Sequence, residues 1–208
     1  MNLLVMGAQG SGKGTVSEAL KKQFGIATIS TGDMFRSAIK NQTELGKIVE
    51  PIINAGHLVD DQLTFAILKE RLKEKDCKHG WILDGFPRTL NQAKELCECE
   101  HIDKVIYLDV DYQTILDRIV GRRVCPACGH IHNIKYSGDP FYCSVCNTKY
   151  IVRDDDKPDA IAKRLKIFKE QTLPAKEFFE EKGLVLNVDA NKSLSYTLDQ
   201  ILEGLKVL

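Results

Sequence analysis

The stretch that most restricts this chain lies near its start, at residues 2–15, NLLVMGAQGSGKGT. A short apolar run is followed by glycines at 7, 10, 12 and 14, with Lys13 among them. Helical spacing then sets in at Val16, Ala19, Leu20 and Phe24. A buried strand, a loose loop and a helix start in that order make an anion site. Glycine allows positive φ, so successive backbone N–H groups can turn inward as a nest. The helix N-terminus adds unpaired donors and partial positive charge. Lys13 can then reach outer phosphates as a point charge. The general pattern G-x-x-x-x-G-K-S/T is met at Gly7, Gly12 and Lys13, but Gly14 stands where a hydroxyl is usual and Thr15 comes one later. Without that hydroxyl, magnesium must be held through water and a carboxylate elsewhere. The plainer alternative is a glycine-rich turn between a strand and a helix.

The rest of the chain repeats the alternation. Helices are predicted at 13–24, 33–40, 44–54, 61–75, 89–98, 111–120 and 193–205, and over 159–181 with a kink or break at Pro174. Short apolar strands are predicted at WILDGF, KVIYLDV and LVLNV. Strands of this kind between helices imply an α/β fold, a parallel sheet with helices on both faces. Residues 121–153 differ: turn-rich, without helical period, a compact insert. The chain carries 29 basic and 29 acidic residues, so it has no overall field to draw in nucleic acid. No apolar run approaches the roughly 18 residues that span a bilayer. The first residues lack a basic segment followed by a long apolar one, so no signal peptide is expected, and the cytoplasm is the expected compartment. Cysteines there stay reduced, and their spacing reads as metal before disulfide.

Within the insert, CPAC (125–128) and CSVC (143–146) form two C-x-x-C pairs. Each pair can make a knuckle that aims two sulfurs at one point, and two knuckles give a tetrahedral site of Cys125, Cys128, Cys143 and Cys146. Gly129 and Asn147 follow the second cysteines, where residues tolerant of positive φ fit. Zinc is expected, with iron possible because both accept four sulfurs. Four protein ligands leave no open position, so the metal is structural. His132 is the alternative to one of the sulfurs. Cys97 and Cys99 read as ordinary thiols.

GKGT at 12–15, STGDMFR at 30–36, LDGFPRT at 83–89, DRIVGRR at 117–123 and LNVDANKS at 186–193 together resemble the adenylate kinase family, in its bacterial form with a long, metal-holding lid. The resemblance runs the whole chain. It implies a P-loop three-layer fold with three parts: a core (1–29, 60–120 and 159–208), a helical AMP-binding module (30–59) and a lid (121–158). It implies the reaction MgATP plus AMP to two ADP. ATP would be held by Gly10, Ser11, Gly12, Lys13, Gly14, Thr15, Arg118, Arg122 and Lys192. AMP would be held by Thr31, Arg36, Val59, Gly85, Arg88, Gln92, Arg153 and Arg164, with the Thr31 hydroxyl and the Gln92 amide reading the adenine edge. Lys13, Arg88, Arg122, Arg153 and Arg164 would be catalytic, and Asp84 would order water on magnesium. Asp155 and Asp156 resemble the family's acidic pair that meets lid arginines on closure. Arginine suits this work because its planar guanidinium is permanently charged. Gln9 and Asp60 stand where the family usually has proline.

A monomer that binds ATP, AMP and ADP, with no nucleic acid and no membrane as partners, is expected. Two other readings compete. One is a kinase for another nucleoside monophosphate, against which the long lid and Thr31 argue. The other is a zinc-ribbon module that grips single-stranded nucleic acid, because the insert also carries Arg122, Arg123, Lys135, Lys149 and Arg153 beside Tyr136, Phe141, Tyr142 and Tyr150.

Overall fold

Leu3, Leu4 and Val5 have no solvent exposure at all, and the molecule is organised around that first strand. A computed structural model describes residues 1–206. Val207 and Leu208, the last two positions of the expected core segment, lie outside the described residues. In chain order the elements are β1 (Asn2–Gly7), α1 (Lys13–Phe24), β2 (Ala27–Ser30), α2 (Thr31–Lys40), α3 (Glu44–Asn54), α4 (Asp61–Leu72), β3 (Trp81–Asp84), α5 (Leu90–Cys99), β4 (Lys104–Asp109) and α6 (Tyr112–Val120). They continue as β5 (Arg122–Val124), β6 (Ile131–Asn133), α7 (Ile134–Ser137), α8 (Pro158–Ile167), α9 (Leu173–Glu181), β7 (Val185–Asp189) and α10 (Leu194–Leu205).

Five strands pair in the order β2-β3-β1-β4-β7, every pair parallel. Alternate residues of the central strands face opposite layers. Leu4, Met6 and Leu83 pack with Phe65, Leu68, Ala93, Leu96, Ala175 and Phe179 of α4, α5 and α9. Leu3, Val5, Ile82, Ile106 and Leu108 pack with Val16 and Leu20 of α1 and Ile201 of α10. Burial on both faces is why these strands read as continuous apolar runs. The register brings Ser30, Asp84 and Val5 side by side, so β2 and β3 end together while β1 runs on two residues to Gly7 and the loop. That common carboxyl edge is where ligands bind in open α/β sheets.

Three local results refine the sequence expectations. β2 is an element the pattern did not announce, since four residues, ATIS, are too short to show a period. The insert contains one four-residue helix, α7, along with its hairpin. Pro174 breaks its helix in a definite way. Lacking an N–H, it cannot close the hydrogen bond to the Glu170 carbonyl, and residues 168–172 widen into a π turn between α8 and α9. That turn presents Thr172, whose hydroxyl donates to the Arg88 carbonyl at 2.8 Å.

The insert is built differently from the core. β5 and β6 form an antiparallel hairpin, and Val124 bridges to Ile151. Its buried apolar cluster consists of Cys125, Cys143 and Tyr150 alone. Helices α2 and α3 make a separate unit around Phe35, Val49 and Val59. Thr43 caps α3 by accepting from Gly46 N, and Asp60, at its proline-to-aspartate position, caps α4 by accepting from Leu63 N.

Candidate active site

The loop that opens the sequence forms the floor of a cleft of about 690 Å³. Its shape depends on glycine. Gly7 has φ +147°, and a Cβ there would come within 2.7 Å of Ser11 Oγ and 2.9 Å of the Leu108 carbonyl. Gly12, at φ +98°, stands immediately before α1 and leads the loop into the helix. A Cβ at Gly14 would lie 3.4 Å from Asp84 Oδ2, so the Asp84 carboxylate rests against the loop where the usual hydroxyl is missing. The acidic oxygens, the neighbouring loop and the absent hydroxyl fit a magnesium held through water.

Lys13 folds over its own loop. Its Nζ donates to the Gly7 carbonyl at 2.8 Å and the Ala8 carbonyl at 2.7 Å. Burial pushes this ammonium down to about 7, opposed by the charge of Asp84. Asp84 is pushed up by its own burial, and the ammonium of Lys13 pulls it back in part.

Eight cationic side chains line the cleft: Lys13, Arg36, Arg88, Arg118, Arg122, Arg153, Arg164 and Lys192. Among the described residues only two carboxylates do, Asp33 and Asp84. A chain with equal numbers of acids and bases thus concentrates positive charge in one place. Some of that charge is committed to partners. Arg122 makes a two-pronged pair with Asp156, and Arg164 Nη1 lies 2.7 Å from Asp155 Oδ2. Arg36 Nη2 meets Asp33 Oδ1 at 2.5 Å. Others use neutral acceptors. Arg118 donates to the Ser11 and Ala190 carbonyls at 3.2 and 2.8 Å, and Arg88 Nε to the Gly85 carbonyl at 2.7 Å. Arg153 Nε is buried with no hydrogen-bond partner among the described residues. Burial, and next the charge of Arg164, push Arg88 down to about 10. Burial, then Arg36 and Arg122, bring Arg153 down to about 10 as well. Crowded cations of this kind are relieved when a polyanion enters.

A second, smaller hollow adjoins the cleft. It is lined by Thr31, Val59, Gly85, Arg88 and Gln92, together with Arg36, Asp155 and Arg164. The residues expected for AMP other than Arg153 meet here, and Arg153 stands on the larger cleft. The loop residues Gly10 to Thr15, with Arg118, Arg122 and Lys192, gather on the larger cleft. Lys192 Nζ lies 4.2 Å over the Tyr196 ring. Four contacts had no local signal in the sequence. Thr172 reaches Arg88, Asp61 bonds to Gln92, Gln9 donates to the Ile161 carbonyl at 3.3 Å, and Lys40 of α2 donates to the Pro126 carbonyl of the insert at 2.7 Å. The last of these joins α2 to the insert.

The four insert cysteines converge. Sulfur–sulfur contacts are 3.3 Å for Cys125–Cys146, 3.6 Å for Cys128–Cys143 and 3.5 Å for Cys128–Cys146. A tetrahedron with sulfurs about 2.3 Å from its centre has edges of about 3.8 Å. The set therefore fits one metal ion. Gly129 and Asn147 take φ +75° and +57°, and their N–H groups bond back to the Cys125 and Cys143 carbonyls, closing the two knuckles. His132 is not part of the cluster, because its Nε2 bonds to the Gly138 carbonyl at 2.8 Å. Of the insert's basic residues, Arg122 pairs with Asp156 and Lys135 with Asp117, Arg153 is on the cleft and Arg123 donates to the Val120 and Arg122 carbonyls. Lys149, over the Phe141 ring, is the one left exposed without a polar partner among the described residues. That leaves little of the basic surface a nucleic-acid grip needs.

A family model described as adenylate kinase matches residues 5–184. The curated protein "Adenylate kinase" of Treponema denticola is 45% identical over 193 residues, covering 91% of this chain and 92% of that protein. That of Fervidobacterium nodosum is 43% identical over 204 residues, covering 93% and 92%. That of Caldicellulosiruptor saccharolyticus is 40% identical over 214 aligned positions, covering the whole of both chains.

Proposed function

The chain belongs to the adenylate kinase family and catalyses reversible transfer of the terminal phosphoryl group from MgATP to AMP, giving two ADP, and we propose that the cations of the cleft do this by aligning the two nucleotides' phosphates. The observation that carries this division of roles is eight cationic side chains against two carboxylates in one cleft of a chain with no net charge.

The loop amides from Gly10 to Thr15 cradle the ATP phosphates, and Lys13 leaves the Gly7 and Ala8 carbonyls to meet them. Arg118, Arg122 and Lys192 stand beside that nucleotide. Arg36 and Arg88 hold the AMP phosphate, and Arg153 and Arg164 bridge toward the transferring group. One oxygen of the AMP phosphate bonds to the terminal phosphorus of ATP. The bond from that phosphorus to the bridging oxygen breaks, and ADP leaves. Catalysis here is positioning and charge compensation. Magnesium, when bound with ATP, offsets phosphate charge, and Asp84 would hold it through water.

Residues 30–59 act as the AMP module and 121–158 as the lid on a core made of the rest. The Lys40–Pro126 contact joins the lid to the module and the Arg164–Asp155 pair joins it to the core, while the Arg122–Asp156 pair braces the lid itself. A closed lid excludes water, so that AMP rather than water accepts the phosphoryl group. Zinc on the four thiolates fixes the lid's shape and has no place in the chemistry. Its thiolates need a reducing compartment, which supports the cytoplasm.

Steady-state assays with both nucleotides test these roles. Arg36→Ala and Arg88→Ala should raise KM for AMP while leaving KM for MgATP nearly unchanged, and Arg122→Ala should lower kcat. Unchanged constants for AMP in the first two would remove them from the AMP site. Elemental analysis should find one zinc per chain.

A further inference from the structure

The Gln92 side chain is almost fully buried, at 2% exposure, and lines the smaller hollow with Thr31, Val59 and Gly85. Its amide is held at both ends. Oε1 accepts from the Arg88 backbone N–H at 2.7 Å, and Nε2 donates to Asp61 Oδ1 at 2.7 Å. Asp61 is itself fixed, because its Oδ2 accepts from the Thr89 hydroxyl at 2.8 Å. Thr89 in turn caps α5, accepting from Gln92 N at 3.2 Å.

These partners are one-directional. A peptide N–H only donates, and a carboxylate only accepts. One amide orientation satisfies both. The flipped one sets N–H₂ against N–H and oxygen against carboxylate. The second Nε2 proton and the second Oε1 lone pair stay free for a ligand, in a fixed order. A 6-aminopurine presents the matching edge, an acceptor at N1 beside a donor at the 6-amino group. A 6-oxopurine presents the reverse, a donor at N1 beside an acceptor at O6.

We propose that Asp61 is a specificity-determining positioning residue, which locks the Gln92 amide so that the acceptor site takes 6-aminopurine monophosphates and rejects 6-oxopurine ones. This rests on the reading that Gln92 faces the base of AMP. Asp61 itself does not touch the nucleotide. A site whose buried polar groups are fixed discriminates strongly, because the wrong base leaves them unpaired.

The test compares AMP with IMP, which differs from AMP in that edge alone. The readout is the ratio of kcat/KM for the two acceptors at saturating MgATP, in wild type, Asp61→Asn, Gln92→Ala and the double variant. Asp61→Asn can offer N–H to a flipped amide, so the ratio should fall about tenfold, the worth of one charge-assisted hydrogen bond. The change should lie in KM for the acceptor, with KM for MgATP unmoved. Gln92→Ala should collapse the ratio, and Asp61→Asn should then add nothing. If Gln92→Ala collapses the ratio and Asp61→Asn leaves it within about twofold, the lock is wrong and the Gln92 reading stands. If Gln92→Ala leaves the ratio intact, that reading fails and the lock with it. An equal loss from Asp61→Asn in both backgrounds shows a structural effect and overturns the proposal. Should Asp61→Asn not fold, side-chain amide NMR of wild type decides: on adding AMP one Nε2 proton of Gln92 shifts and the one on Asp61 stays. Equal movement of both overturns the lock.

Discussion

The two walls of the cleft keep their shape by different physics. Under the glycine loop, Leu3, Leu4, Val5, Ile82, Leu83 and Ile106 are wholly buried between helices on both sides of a parallel sheet. Over the cleft, the lid buries Cys125, Cys143 and Tyr150, and it leaves Phe141, Tyr142 and Val145 more than half exposed. The core has apolar area to spare. The insert has too little, and on the proposed reading a metal held by its four thiolates stands in for it. The difference teaches that stability and chemistry sit on separable parts. On the proposed reading, the core fixes where the phosphates lie, and the lid fixes when water is shut out.

The largest effect that sharpens this contrast is Lys13→Met. Removing the one ammonium on the loop should lower turnover by about 10³-fold, as for loss of a preorganised charge at a reacting phosphate. Thermal unfolding of the core should not fall, because Lys13 is held at a depressed pKa by its own burial and methionine has no charge to bury. Leu83→Ala, by contrast, should cost about 2–5 kcal/mol of global stability. A calorimetric transition lowered as much by Lys13→Met as by Leu83→Ala would break the separation.

Stripping the metal, or Cys128→Ser, should act on the other wall. Amide hydrogen exchange should rise across 121–158 and stay near native in β1, β3 and β4. Zinc peptides of this size draw about 10–16 kcal/mol from the metal, far more than the lid's small apolar cluster can replace. Thermal stability should drop more than low-temperature activity does. Even loss of protection through the core strands would mean that lid and sheet form one cooperative unit.

A smaller effect follows pH. Burial brings the free-site Lys13 ammonium down to about 7, and incoming phosphate raises its pKa. ATP binding is therefore strongest below that value and weakens as pH rises through it. The loss should be about tenfold per unit until the pKa of the complex is reached. Calorimetry in buffers of different ionisation enthalpy at pH 8 should show uptake of about one proton that Lys13→Met lacks. The least effect is expected from Lys40→Ala, which removes a single contact between module and lid. It should weaken closure by about 0.5–1.5 kcal/mol, seen as a few-fold rise in KM for AMP.

Legibility followed the same division. The core strands were readable because burial on both faces leaves an unbroken apolar run, as in NLLVM, and the loop because only glycine fits Gly7. The lid was readable for an unrelated reason, the spacing of four cysteines and the two turn residues behind them. What stayed hidden was short or distant. β2 has four residues, too few to show a period. Thr172 reaches Arg88 across 84 positions and Lys40 reaches Pro126 across 86. No local pattern marks either contact. Asp61 reads in sequence as a first-turn residue of α4, and its bond to Gln92 exists because α4 and α5 pack side by side.

The central claim is that one cradle of amides and guanidiniums lines up two polyanions beneath a metal-pinned lid. A crystal structure with two adenosines joined through five phosphates tests it most directly. The account predicts Lys13 and Arg122 on the phosphates over the glycine loop, with Arg36, Arg88, Arg153 and Arg164 around the far end of the chain. Guanidiniums left in their carboxylate pairs, with the phosphates facing solvent, would contradict it.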